Sequence, residues 1–311
     1  MGAKRVGLNG LAVLVLGGVL LALGACASGD EDSSKGLAGR LMFSRFNEAG
    51  HTFISTHTAQ ADGTDEEELT LPGPEGGGRW SRSGNEIAVM TLLPDERVGT
   101  AIIEPDGTVA RTLEIADKSL NLVCTVWSPD DKWLACEGWD DADPSRRGIY
   151  TVRSSHGEDL QRLTTTPEGM VDFPGDYSPD GAQFVFKRSA DEENGPLLIM
   201  DLPDGEPRPL SKGRFEDSGR FSPDGASVLT SDRGRIVIMD LNGEVLQRVA
   251  EPGAFLFGPV WSPDGKWIAY SRATTGPQAD IFTSRPDGMD AQQVTSTAAN
   301  EITVEWGLGE G

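Results

Sequence analysis

Short, largely apolar runs of four to seven residues, among them WIAYS from 267, GRIVIMD from 234 and GPLLIMD from 195, are separated along the chain by clusters of Gly, Pro, Asp and Ser. Past residue 30 no stretch carries the spacing of a long amphipathic helix. Runs of this length bounded by turn formers predict strands. Where both alternating faces of a strand are apolar, each must lie against another sheet.

One turn is written repeatedly: WSRSGN at 80, WSPDDK at 127, YSPDGA at 177, FSPDGA at 221 and WSPDGK at 261, with a shortened WGLGEG at 306. The copies lie 40 to 50 residues apart, which is room for four short strands and their turns. Proline presets φ at the first central position, aspartate accepts hydrogen bonds from nearby backbone N–H groups, and glycine takes the left-handed conformation that returns the chain. A second corner follows the third strand, as EPDG at 104, LPDG at 202, LNGE at 241 and RPDG at 285, ahead of a short fourth strand. Two corners depart from the pattern. WSRSGN has neither the proline nor the aspartate, and Asp131 stands where glycine is expected, at a cost of about 1 kcal/mol.

Four-stranded antiparallel units repeated this way stack around an axis as the blades of a β-propeller. RLMFSR at 40 aligns with WIAYSR at 267 but has no corner before it, and EITVEW at 301 is a first strand with nothing after it. Joined, they form a sixth blade beside five that begin near residues 76, 121, 170, 215 and 255. The predicted class is therefore all-β, a six-bladed propeller over residues 39–311 whose C-terminal strand completes the N-terminal blade and removes the open edges. Trp80, Trp127 and Trp261, at the ends of first strands, read as inter-blade core. The five near-copies of aromatic-S-P-D-G with the x-I-A-Y/F-S continuation resemble the TolB-like propeller repeat. That resemblance implies a ring in the bacterial envelope used for protein binding. The additional α/β domain that TolB carries ahead of its propeller finds no counterpart in this pattern.

The N-terminus is built differently. MGAKRVGLNGLAVLVLGGVLLALGAC has a basic start, an apolar stretch from Leu11 to Leu23 and small residues before Cys26, which predicts a secretory signal over residues 1–25. Leu23-Gly24-Ala25-Cys26 looks like a bacterial lipobox, which implies lipid attachment at Cys26 through acyl chains such as palmitate. Residues 26–38 are polar and acidic and read as a flexible tether. The predicted location is the extracytoplasmic side of the bacterial envelope.

The formal net charge of -22 disfavours nucleic acid and anionic headgroups as partners. The expected partner is an envelope protein or peptide, with the membrane reached through the lipid anchor and the propeller itself a monomer. Catalytic signals are thin. There is no G-x-S-x-G elbow of the kind found in prolyl-oligopeptidase-like enzymes, and the three histidines, His51, His57 and His156, read as surface or turn residues. No metal and no cofactor is predicted; the acidic runs at Asp62 to Glu68 and Asp140 to Asp143 lack the glycine alternation of a calcium loop. An envelope hydrolase or lyase working from the propeller's central mouth is the alternative function. Cys124 and Cys136 fall opposite each other if their corner centres on Asp130, which would allow a disulfide; a one-residue change of register would leave two buried thiols. Recognition is expected on the rim of long, varied loops, with Trp139, Asp140, Asp141, Asp143, Arg146 and Arg147 as the contact residues.

Overall fold

The computed structural model describes residues 37–47, 52–73, 77–190, 194–211, 213–274 and 278–308; Cys26 with the rest of the leader, and His51, lie outside these. Six four-stranded antiparallel sheets account for the described strands. Blade 1 orders Asn300–Gly307, Arg40–Phe46, Phe53–Gln60 and Glu67–Leu69. Blade 2 follows with Arg79–Trp80, Ile87–Leu92, Val98–Ile103 and Val109–Thr112, and blade 3 with Asn121–Trp127, Trp133–Trp139, Gly148–Arg153 and Gln161–Arg162. Blade 4 has Val171–Tyr177, Gln183–Ser189, Leu197–Asp201 and Arg208–Pro209; blade 5 has Arg220–Phe221, Ser227–Ser231, Ile236–Asp240 and Val245–Val249. Blade 6 ends the series with Phe255–Trp261, Ile268–Ala273, Ala279–Ser284 and Gln292–Gln293. The last strand of the chain is hydrogen-bonded to the first, pairing Leu41 with Trp306 and Arg45 with Glu301. The Trp306 indole N–H also donates to the Ala38 carbonyl at 2.9 Å, so both ends of the described chain are tied into one sheet.

The core is six separate apolar layers, each between neighbouring blades. Trp127 and Leu134 of blade 3 pack with Ala88 and Ile102 of blade 2, and Leu41 and Phe43 of blade 1 pack with Trp267 and Ile281 of blade 6. Four further layers join blades 4 and 5, 3 and 4, 1 and 2, and 5 and 6. A sheet apolar on both faces has no stable position except between two others, and six such sheets satisfy one another only as a closed ring.

Each corner works as its residues predict. In blades 4, 5 and 6 the Ser178, Ser222 and Ser262 hydroxyls donate to Asp180, Asp224 and Asp264 at 2.6, 2.6 and 2.7 Å. The same hydroxyls accept the N–H of Gln183, Ser227 and Trp267, which starts or immediately precedes the second strand. Gly181, Gly225 and Gly265 close these turns at φ of +70 to +72°. Each also sits against the proline of the preceding blade's corner, so that Gly225 faces Pro179 and Gly265 faces Pro223.

The two departures noted in the sequence meet at one of these contacts. Asp131, at φ 57°, occupies the glycine position of blade 3 and faces the corner of blade 2. Its carboxylate accepts the backbone N–H of Arg82 at 2.7 Å and of Ser83 at 2.9 Å. Proline at position 82 would have no N–H to give. The missing proline and the missing glycine are thus one exchange, an apolar contact replaced by a charged hydrogen bond.

Cys124 and Cys136 are paired across the first and second strands of blade 3, and their sulfurs are joined. The route differs from the one the spacing suggests. Next to the corner, Trp127 pairs with Leu134 and Val126 with Ala135, a register that would miss the cysteines by one residue; a bulge at Thr125 brings Cys124 opposite Cys136. His57 corrects the surface reading of the histidines. It lies mid-strand in blade 1, opposite Phe43, buried, with its ring stacked on Phe43 at 5.8 Å. Arg45 and Glu66 beside it supply polar partners that an isolated reading of the sequence could not place there.

Candidate functional site: the central channel and its mouths

The first strand of every blade lines the axis of the ring. The residue just ahead of the corner aromatic is Arg79, Val126, Asp176, Arg220 or Val260 in blades 2 to 6 and Glu305 in blade 1. Four of the six are charged where a buried strand would read apolar. They meet across the channel. Arg79 places Nε 3.3 Å from Glu305 Oε1 and donates from Nη1 to the Gly175 carbonyl at 2.5 Å. Arg220 reaches the same Glu305 oxygen from blade 5. Arg82 pairs with Asp176, whose other oxygen accepts the Phe221 N–H at 3.2 Å. Gly175 permits the approach, because a Cβ there would come within 2.3 Å of the Ser218 carbonyl.

Burial in the channel, with the charge of Arg220 next, brings the Arg79 guanidinium down to about 9. It still carries its charge at neutral pH. Arg82 is raised, chiefly by the Asp176 charge. This clamp separates two cavities of about 300 Å³ each. The corner-side cavity is walled by Trp80, Tyr177, Phe221 and Trp261 together with the corner prolines, over a floor that includes Arg220 and Glu305. The loop-side cavity is bounded by Glu216, Asp217 and Phe257 and reaches Arg79 and Arg220 from the other side. Trp127 is fully inside the core, whereas Trp80 and Trp261 serve both core and mouth.

The residues expected to bind a partner are gathered on one segment, at the opposite rim from the corners. Asp143 caps a 3-10 turn, Pro144–Arg146, by accepting the Ser145 N–H. Arg146 is tied to Asp117 and, at 2.9 Å, to Asp140; Arg147 is tied to Glu137. Asp140 is buried and held below the usual carboxylate range by the Ala142 N–H and the Ser119 hydroxyl. Asp141 accepts from Asn121, and Trp139 is half-buried. Most of these charges hold the loop in shape. The channel clamp escaped the sequence reading because each of its ion pairs joins residues at least 85 positions apart; the available signal was the charged residue before the aromatic in four of six repeats. Among the described residues no three His, Cys, Asp or Glu side chains form a group able to hold a metal ion, and no helix is long and apolar enough to cross a membrane.

A closed ring of six four-stranded blades around a channel defines a six-bladed β-propeller. The chain belongs to the TolB beta propeller domain family, whose profile matches residues 95–306. It is similar to TolB from Acinetobacter baumannii, at 21% identity and a TM-score of 0.65, over 87% of this chain and 67% of that one. An oligogalacturonate lyase solved in complex with manganese shares the fold at 18% identity and a TM-score of 0.51, over 84% of this chain and 74% of that one. An uncharacterized protein of Agrobacterium fabrum is 26% identical over 176 residues. That match spans 55% of this chain and 57% of its relative.

Proposed function

We propose that this chain is an envelope lipoprotein, anchored through Cys26, whose propeller binds a protein or peptide at the corner-side mouth of its channel. The observation that carries the reading is the mouth itself: five aromatic residues, Trp306 among them, and a ring of prolines around a cavity of about 300 Å³, on a scaffold whose blades are clamped to one another. Aromatic anchors in a preformed recess are the usual centre of a protein interface. Family membership and the lipobox-like leader support the location. The loop from Trp139 to Arg147 is a second contact surface in this reading, with Asp141 and Asp143 exposed to a partner.

Photocrosslinking in intact cells tests it. A crosslinking residue at Pro179 or Trp261 is expected to capture a discrete protein that one at Leu246, on an outer strand, does not. Identical capture from both places would count against the mouth. Labelling with an alkyne analogue of palmitate is expected for the native chain and not for C26S. The rival, a hydrolase or lyase at the mouth, requires turnover of a glycan, peptide or ester by the purified chain; binding without turnover is the expected result.

A further inference from the structure

Between blades 3 and 4 the corner face opens into a second recess, beside the mouth and continuous with it. Pro129 and Tyr177 line both cavities. The seam cavity has a volume of about 450 Å³ and is walled by Trp133, Leu163 and Leu202. Corner packing is looser here than at the next two seams: a Cβ on Gly181 would stand 3.8 Å from Pro129, whereas one on Gly225 or Gly265 would stand 3.3 Å from Pro179 or Pro223. The charged residues in the wall, Asp130 and Asp180, are of one sign. Bases nearby are already engaged. Lys132 lies 3.0 Å from Asp130, and Arg153, stacked over Trp133 at 4.0 Å, lies 3.1 Å from Asp159. Arg162 donates to the carbonyls of Ser145, Arg147 and Thr164. Asp180 is left with no cation among the described residues: its Oδ1 accepts the Ser178 hydroxyl and the Ala182 N–H, and its Oδ2 accepts nothing there.

We propose that the seam is a second subsite for the partner of the mouth, taking an arginine or lysine side chain from an extended peptide whose large apolar neighbour fills the mouth. The proposal rests on the binding function given above and adds the chemistry by which the partner is chosen. A recess with aromatic and aliphatic walls and an unmatched carboxylate at its edge fits a side chain that has an apolar stem and a cationic head. The stem lies against Trp133, Leu163 and Leu202, and the head reaches Asp180. Alternate side chains of an extended segment point the same way, about 7 Å apart, so one chain serves both recesses. Because Asp180 is exposed, the ion pair contributes more to selection than to affinity.

The test selects a random dodecapeptide display library on the full-length chain in detergent, then titrates the enriched peptides, synthesised with both ends blocked, by fluorescence anisotropy. Enriched peptides are expected to pair an arginine or lysine with a tryptophan, phenylalanine or leucine. Replacing the basic residue by glutamine should weaken binding about threefold to fivefold, and by glutamate about tenfold or more. D180N, which keeps an acceptor for the corner, is expected to erase the preference for arginine over glutamine, and D180K to turn it toward glutamate. In a chain of net charge -22 a basic peptide is attracted to the whole surface, so D224N is the control. Asp224 bonds its own corner in the same way, one blade further round, and its loss is expected to leave the preference intact. An effect of D180N matched by D224N, or enrichment of neutral or acidic peptides, overturns the proposal. Peptides that crosslink at Trp261 and bind D180N with unchanged preference would remove the seam subsite and leave the mouth standing. Enrichment of no peptide at all refutes both.

Discussion

The exchange between blades 2 and 3 yields a sharp prediction, because the substitution restores the repeat's own preferred residue. Glycine fills the equivalent corner position in blades 4, 5 and 6, so D131G looks like a repair. At φ 57° the change relieves about 1 kcal/mol of left-handed strain. Glycine's greater freedom in the unfolded chain takes back about 0.5–1 kcal/mol, and the two nearly cancel. What remains is loss of the carboxylate that accepts the Arg82 and Ser83 N–H groups at 2.7 and 2.9 Å. Hydrogen bonds to a charged acceptor contribute about 1.5–3 kcal/mol each when buried, and solvent at this exposed corner reduces that to roughly 0.5–1 each. D131G is therefore expected to lose about 1–2 kcal/mol, seen as a Tm lower by about 2–6 °C. In an R82P background, where one donor is already gone, D131G should cost about half as much. Thermal melts followed by circular dichroism, with urea titrations of the same four proteins, measure the cycle. A D131G protein as stable as the native one, or additive single and double variants, would refute the claim that the two departures compensate each other.

Other outcomes follow from the same physics. Removing residues 300–311 strips blade 1 of its inner strand and bares the edge of Arg40–Phe46, so the truncated chain should lose its cooperative melt and elute as aggregate or expanded monomer on size exclusion. The Cys124–Cys136 bridge closes a short loop of separation 12; C124A/C136A should fall by about 2–3 kcal/mol in urea unfolding, and intact mass under non-reducing alkylation should show no label at either cysteine. Burial and the Arg45 charge lower the His57 pKa, so the unfolded chain takes up that proton first. The stability it contributes is fully present above about pH 6.5 and is lost as pH falls toward the depressed folded value; H57N should flatten the fall in Tm between pH 7 and 5. Replacing Ser178 by alanine removes the hydroxyl that bonds both Asp180 and the Gln183 N–H, with an expected cost of about 1–2 kcal/mol in urea unfolding.

What the sequence determined by itself was everything that repeats. The corner S-P-D-G is local chemistry: a hydroxyl, a preset φ, an acceptor and a left-handed residue act within five positions, so one copy reads like the next. Strands apolar on both faces required a ring, and two incomplete ends required a shared blade. The tertiary structure alone decided what depends on residues brought together from different blades. Arg79 and Glu305 stand 226 positions apart and touch only because the ring closes. A bulge at Thr125, which no composition announces, sets which residue faces Cys136. His57 looked solvated until the neighbours of its strand were known, and Asp131 looked like a defect until the backbone of the adjacent corner was beside it. Local hydrogen bonding can be read along a chain, because its partners are near in sequence. Charge balance across a channel cannot, because it belongs to the space that six separate strands enclose.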